Sequence, residues 1–136
     1  MMPTFAEIGS IARQRFQTQV EVPESLKVVY DNAPDPHLDD QPWARFTVRP
    51  GASRLLEVGA RPAYRTIGSV IAQLFHPVET GDGPGLELAD VVALAFRRIT
   101  VSGLRFLVPS VQNVGRSDKW WQVNVTCPFQ CDEETV

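Results

Sequence analysis

Gly81-Asp82-Gly83-Pro84-Gly85 lies between a strand-like and a helix-like stretch, the position that phosphate-binding loops occupy. Helix N-terminal amides attract anions there. The lysine and following hydroxyl of a Walker loop are absent, and Leu86 stands in that region. Asp82 would repel a phosphate, and the G-x-G-x-x-G spacing is missing, so these glycines read as a connecting turn. The proline-bearing stretch Asn32 to Pro42 gathers Asp31, Asp35, His37, Asp39 and Asp40. Such a cluster could hold a divalent cation. It lacks the calcium-loop spacing and its glycine, so a solvated loop is expected. His76 stands just before Pro77, with Glu79 and Asp82 close in sequence. Nucleophilic catalysis needs a base oriented by a third group, and no G-x-S-x-G elbow is present. His76 reads as a strand-end residue. Cys127 and Cys131 lack the redox C-x-x-C spacing, and His37 and His76 are far from them in sequence. Both thiols should be reduced, Cys127 as a small core residue and Cys131 as a tail residue. No catalytic constellation, metal site or cofactor site is expected.

The chain has 136 residues, 43% hydrophobic and 21% charged, with a formal net charge of −3. One globular domain over residues 1–136 is expected. The charge argues against general nucleic-acid or membrane-surface binding, which calls for a basic patch. No apolar run is long enough to span a bilayer. The opening residues, MMPTFAEIGS, have no basic region followed by an apolar stretch, so no signal peptide is expected.

The central element is the run from Tyr64 to Ile99. Its strand ends at Pro77 and is apolar on both faces. Val70, Ala72 and Leu74 point one way; Ile67, Ile71 and Phe75 point the other. Such a strand is central and covered on both sides. In so short a chain the second face is either left with a few exposed apolar groups or met by another subunit. Leu88, Val91, Val92, Ala95, Phe96 and Ile99 then recur at helical spacing. Pro84 suits the helix start. Glu87 and Asp90 in the first turns and Arg97 and Arg98 in the last would match the helix dipole.

The remaining elements should surround this pair. Thr4-Phe5-Ala6-Glu7 is a capping-box pattern, and Phe5, Ile8, Ile11, Ala12 and Phe16 form a helical stripe ending near residues 17–19. Residues 26–30 form a short strand. Residues 43–49 alternate, with Ala44, Phe46 and Val48 on one face, and Pro50-Gly51 marks a turn into a returning strand at residues 53–58. Residues 104–108 form another strand, residues 110–119 a polar loop, and residues 132–136 a frayed acidic tail. In the last strand Trp121, Val123, Val125 and Cys127 point inward, and Trp120 points outward. Trp120 is either capped by a local loop or part of an interface, with Trp43 on the same face. The expected fold is α+β: a mainly antiparallel mixed sheet of about five strands with two helices packed on one face.

In order and spacing these pieces resemble the tail terminator (tail completion, or minor tail) proteins of long-tailed bacteriophages. The resembling segments are Val28-Val29-Tyr30-Asp31-Asn32, then Trp43-Ala44-Arg45-Phe46-Thr47-Val48 with Gly51, and Tyr64-Arg65 to Gly68. Val70 to Pro77, Gly81-x-Gly83 and Leu88-Ala89-Asp90 to Phe96 follow, then Trp121-Gln122-Val123-Asn124-Val125 with Pro128-Phe129. The resemblance implies a structural virion protein, assembled in the host cytoplasm and located in the neck region of the tail. It implies a ring, typically a hexamer, that ends tube polymerisation and offers a surface for the head connector. The implied partners are further copies of the chain, the tail tube protein and the head–tail connector protein. It supplies no catalytic residues. Trp120, Ile67, Ile71, Phe75 and Trp43 are the expected interface residues. Two alternatives remain open: another neck protein, such as a head-completion or connector subunit, or a small cytosolic enzyme using the turn at Gly81 to Gly85.

Overall fold

A computed structural model describes residues 3–33, 40–55 and 63–134. Helix α1, Phe5–Phe16, begins with the expected capping box. The Thr4 hydroxyl accepts from the Glu7 amide at 3.1 Å, and the Glu7 carboxylate accepts from the Thr4 amide at 3.0 Å. Those bonds lower the Glu7 pKa. Ile8, Ala12, Phe16 and, beyond the helix, Val20 are fully buried. A π-helical turn at Gln17–Glu21 keeps Val20 on this four-residue line by widening the helix. Phe5, expected in the stripe, is 57% exposed because it sits in the first turn, before the helix reaches the sheet.

Among the described residues, seven strands form one mixed sheet: β1 Lys27–Tyr30, β2 Trp43–Leu55, β3 Ala63–Pro77, β4 Thr100–Val101, β5 Leu104–Phe106, β6 Ser110–Ser117 and β7 Trp120–Glu134. The order is β1-β2-β3-β7-β5-β4, and β6 also pairs with β7. β1 runs parallel to β2; the other pairs are antiparallel. As expected, β3 is central, lying between β2 and β7 along its length.

Four expectations about the strands change. Pro50-Gly51 is not a turn: β2 runs straight through, with Pro50 opposite Gly68 and Ser53 opposite Thr66, so a bulge occupies residues 51–52. A Cβ on Gly51 would lie 2.4 Å from the Ile67 carbonyl oxygen, so the glycine permits close backbone approach. Pro50 is tolerated because its outward side has no ladder partner among the described residues. Residues 56–58 of the expected returning strand lie outside the described residues. Second, the expected polar loop at 110–119 is mostly β6, which turns into β7 through Asp118 in a left-handed conformation. It sits at the sheet edge, where no apolar alternation is required, so the pattern was invisible. Together with β4 this raises the count from about five strands to seven. Third, residues 107–108 fall beyond β5. Fourth, β7 continues to Glu134. Cys131 is a core residue at 2% exposure, opposite Thr66, and Asp132 pairs with Arg65 at 2.8 and 2.9 Å. Pairing with β3 replaces the fraying expected at residues 132–134, and residues 135–136 of the expected tail lie outside the described residues.

Helix α2, Gly83–Phe96, has Pro84 in its first turn as expected. It stops at Phe96, with Arg97 extended and Arg98 left-handed, so these arginines and Ile99 lie past the helix. Glu87 and Asp90 sit beyond the first turn. The dipole match therefore does not hold. Leu88, Val92 and Phe96 join Ile8, Ala12, Phe16 and Val20 in one cluster with Ala44, Phe46, Val70, Ala72, Leu74, Val123, Val125 and Cys127. Both helices thus meet the sheet face that alternation selected. Five phenylalanines run through this core. Phe16 stacks on Phe46 with ring centroids 4.4 Å apart, and Phe46 lies 6.0 Å from Phe96. Phe96 meets Phe106 edge-on at 5.0 Å, and Phe106 meets Phe129 at 6.1 Å. Cys127 is buried beside the Phe96 and Leu107 carbonyls, and burial pushes its thiol pKa up to about 11.

Candidate functional site

Among the described residues, those whose side chains could do chemistry do not converge. Asp82 precedes α2 without a side-chain capping bond. Gly81 is left-handed at φ +81°, which makes the turn a conformational device. Residues 34–39 of the acidic loop lie outside the described residues. Of the loop's carboxylates, Asp31 accepts from Thr47 at 3.2 Å, and Asp40 pairs with Lys119 at 3.2 Å. Among the described residues, no three His, Cys, Asp or Glu side chains are grouped to hold a metal ion. His76 is buried at 7% exposure and faces the helix side of the sheet, and desolvation lowers its pKa.

Aromatic and apolar groups gather on the other sheet face. The register sets Trp43 directly opposite Phe75 and Trp120 opposite Pro77. Trp43 stacks on Phe75 with centroids 4.2 Å apart and planes at 13°. Trp120 meets Trp43 edge-on at 6.1 Å. Val29 completes this second apolar cluster. Two cations frame it: the Arg45 guanidinium lies 5.8 Å from a Trp43 ring centroid and the Lys119 ammonium 5.4 Å from that of Trp120. Cation–π contacts of this kind contribute about 0.5–1 kcal/mol where exposed.

Each expected interface residue can now be placed. Trp43 and Phe75 are each 8% exposed and cover one another. Trp120 is half-buried and packs against this pair from the same sheet face, so its cover includes Trp43. Ile71 is half-buried further along β3, and Ile67 is 44% exposed. The five side chains therefore lie on one sheet face, with Trp43, Phe75 and Trp120 in direct contact and Ile71 and Ile67 trailing away along β3. Sequence reasoning missed the β6 edge, where Val111 and Val114 are 42% and 53% exposed. Its only signal was two valines in a polar run. It also missed Leu55 and Tyr64, cross-strand neighbours at 46% and 39% exposure. No helix of the described residues is long and apolar enough to cross a membrane.

Comparison with known proteins finds one family and several solved structures that this chain resembles. A family model described as phage tail terminator protein matches residues 7–129. One solved structure superposes with a TM-score of 0.65 at 16% identity, covering 90% of this chain and 94% of that one, a likeness of fold alone. No curated protein sequence matches. The α+β architecture, the order of motifs and a family match over most of the chain lead to one conclusion: this chain belongs to the phage tail terminator protein family, structural proteins of the virion tail.

Proposed function

We propose that the protein forms a closed ring, a hexamer, on the head-proximal end of the tail tube, where it ends tube polymerisation and offers the surface on which the head connector docks. The observation that carries this reading is the family match across residues 7–129. The open sheet face supports it. Both helices cover one side of the sheet, while Ile67, Ile71 and Trp120 line the other with Trp43 and Phe75 as a rigid aromatic platform beneath. Apolar surface left over on a small chain finds a partner. A head-to-tail contact that closes on rotation makes a ring. The partners in this reading are other copies, the tube protein and the connector. Assembly takes place in the host cytoplasm, residues 1–136 act as one domain, and no catalytic step is involved.

The test is genetic depletion followed by electron microscopy of infected lysates. Tails of uncontrolled length without heads are expected. Normal-length tails joined to heads would sink the reading. A Trp120→Asp variant should fold and fail to cap tubes; normal capping by it would move the interface off the sheet face.

A further inference from the structure

Two stretches of sheet edge have no partner strand among the described residues. β6 pairs only with β7, so its outer side is bare along Ser110–Ser117. β1 pairs with β2 only as far as Phe46, so β2 is bare from Thr47 to Leu55 on the side away from β3. Unpaired N–H and C=O groups along an edge are a template for another strand. Proteins guard such edges with charge and proline. β2 carries Arg49, Pro50 and Arg54 there, whereas β6 carries one arginine and no proline. Two β2 edges laid together would gather four arginines on one ladder, and like charges across a ladder repel. β6 meets the same edge without that cost.

Direction, face and stagger match the two edges. The steps from β2 to β3, from β3 to β7 and from β7 to β6 are all antiparallel, so β6 runs opposite to β2. A neighbouring copy in the same orientation therefore presents its β2 antiparallel to β6. On β6, Val111 and Arg116 stand opposite Val125 and Trp121, on the helix side of the sheet. On β2, Val48 and Ser53 stand opposite Val70 and Thr66, on that same side. Setting Ser117 against Thr47 and Ser110 against Arg54 brings Arg116 to Val48 and Val111 to Ser53. The faces agree at both ends because each strand holds one extra residue, Val114 in β6 and one of residues 51–52 in β2. A slip of one residue would turn every side chain to the wrong face. In this register Arg49 meets Gly115 and Arg54 meets Ser110, so no like charges face. Pro50, which has no N–H, meets the bulged Val114, so one rung is lost at most.

The stagger is the third match. In its own sheet Val111 is level with Val125, Ala72 and Phe46. In the neighbour it meets Ser53, six ladder steps along β2 once the bulge is discounted. That is about 20 Å along the strands, over four strands that together span about 19 Å. The strands then tilt by about 45°, the upper end of the range at which sheets close on themselves. We propose that β6 of one copy pairs with residues 47–54 of β2 in the next, so that the sheets of neighbouring copies run on as one. The contact is head-to-tail, as a ring requires, and it rests on the ring reading above.

Two measurements test it. Hydrogen exchange read by mass spectrometry compares tails from lysates with the purified chain at a dilution where it is monomeric. Amides in both 47–54 and 110–117 should exchange about tenfold or more slowly in tails. Protection elsewhere, with both stretches unchanged, overturns the pairing and leaves the ring reading standing. Protection of 110–117 without 47–54 overturns β2 as the partner. Tails that lack the protein overturn the ring reading and the pairing together. The second measurement is disulfide cross-linking in tails from phage carrying Val111→Cys with Ser53→Cys. Within one chain the two sites are about 25 Å apart, too far for a disulfide, and Cys127 and Cys131 are buried. A ladder of covalent multimers is therefore expected, and none from Val111→Cys alone. Dimers from Val111→Cys alone would show β6 paired with itself and overturn the proposal. So would a double variant that assembles without forming multimers. Should that variant fail to assemble, hydrogen exchange on the unaltered protein decides.

Discussion

Replacing Phe96 with alanine should be the most damaging single truncation on α2. The side chain is 1% exposed, lies 6.0 Å from Phe46 and meets Phe106 edge-on at 5.0 Å. It therefore couples α2 to both β2 and β5. Phenylalanine-to-alanine changes in cores cost about 3–5 kcal/mol through lost transfer energy and the cavity left behind. Two aromatic contacts of about 0.5–1.5 kcal/mol each go with the ring, so the upper half of that range, about 4–5 kcal/mol, is expected. Small domains have only about 5–15 kcal/mol in total. At a urea slope of about 2 kcal/mol per molar, the midpoint should fall by about 2 M. Urea denaturation followed by circular dichroism and by tryptophan fluorescence measures it, with coincident curves checking two-state behaviour. Leu94→Ala is the control: Leu94 is 70% exposed on the same helix and should change stability by less than about 0.5 kcal/mol. A loss below about 1 kcal/mol for Phe96→Ala, or equal losses for the two variants, would refute the placement of the α2 stripe against the phenylalanine core.

Gly51→Ala should destabilise by about 1–3 kcal/mol, because its Cβ would meet the Ile67 carbonyl oxygen at 2.4 Å; a neutral result in thermal denaturation would mean that residues 51–52 do not form the bulge. Stability should fall with acidification near His76. Its folded pKa is lowered by burial, so the unfolded chain binds the extra proton first, and stability present above about pH 6.5 is lost as pH drops toward the lowered value. A His76→Gln variant should show a flatter dependence of Tm on pH across that window, and an unchanged slope would remove His76 as the cause. Cys127 and Cys131 should resist iodoacetamide in the native protein, since both are buried, with the Cys127 pKa raised to about 11; alkylation of the folded chain at the rate of a free thiol would contradict that burial. Calorimetric titration with ATP, magnesium or calcium at millimolar concentration should show no binding, and stoichiometric heat would reopen the enzyme alternative.

The sequence by itself determined the inward and outward faces. Period two in residues 67–75 and 120–127 separated Val70, Ala72, Leu74, Val123, Val125 and Cys127 from Ile71, Phe75 and Trp120, and the core contains the first set. The capping box at Thr4 and Glu7 was also legible, because capping is local chemistry within four residues. So was the family, because several weak motifs kept their order along the chain. Tertiary structure alone decided the rest. Pro50-Gly51 carries the residues of a turn, yet pairing with β3 keeps the strand straight through a bulge, since a long ladder outweighs a local preference. β6 has no apolar period, and only its ladder with β7 makes it a strand. The parallel pairing of β1 with β2 brought Val29 beside Trp43 and Phe75, and no spacing in the sequence encodes that neighbourhood. Contacts between residues far apart in the chain are set by register, and register is fixed only when strands meet and bury a shared face.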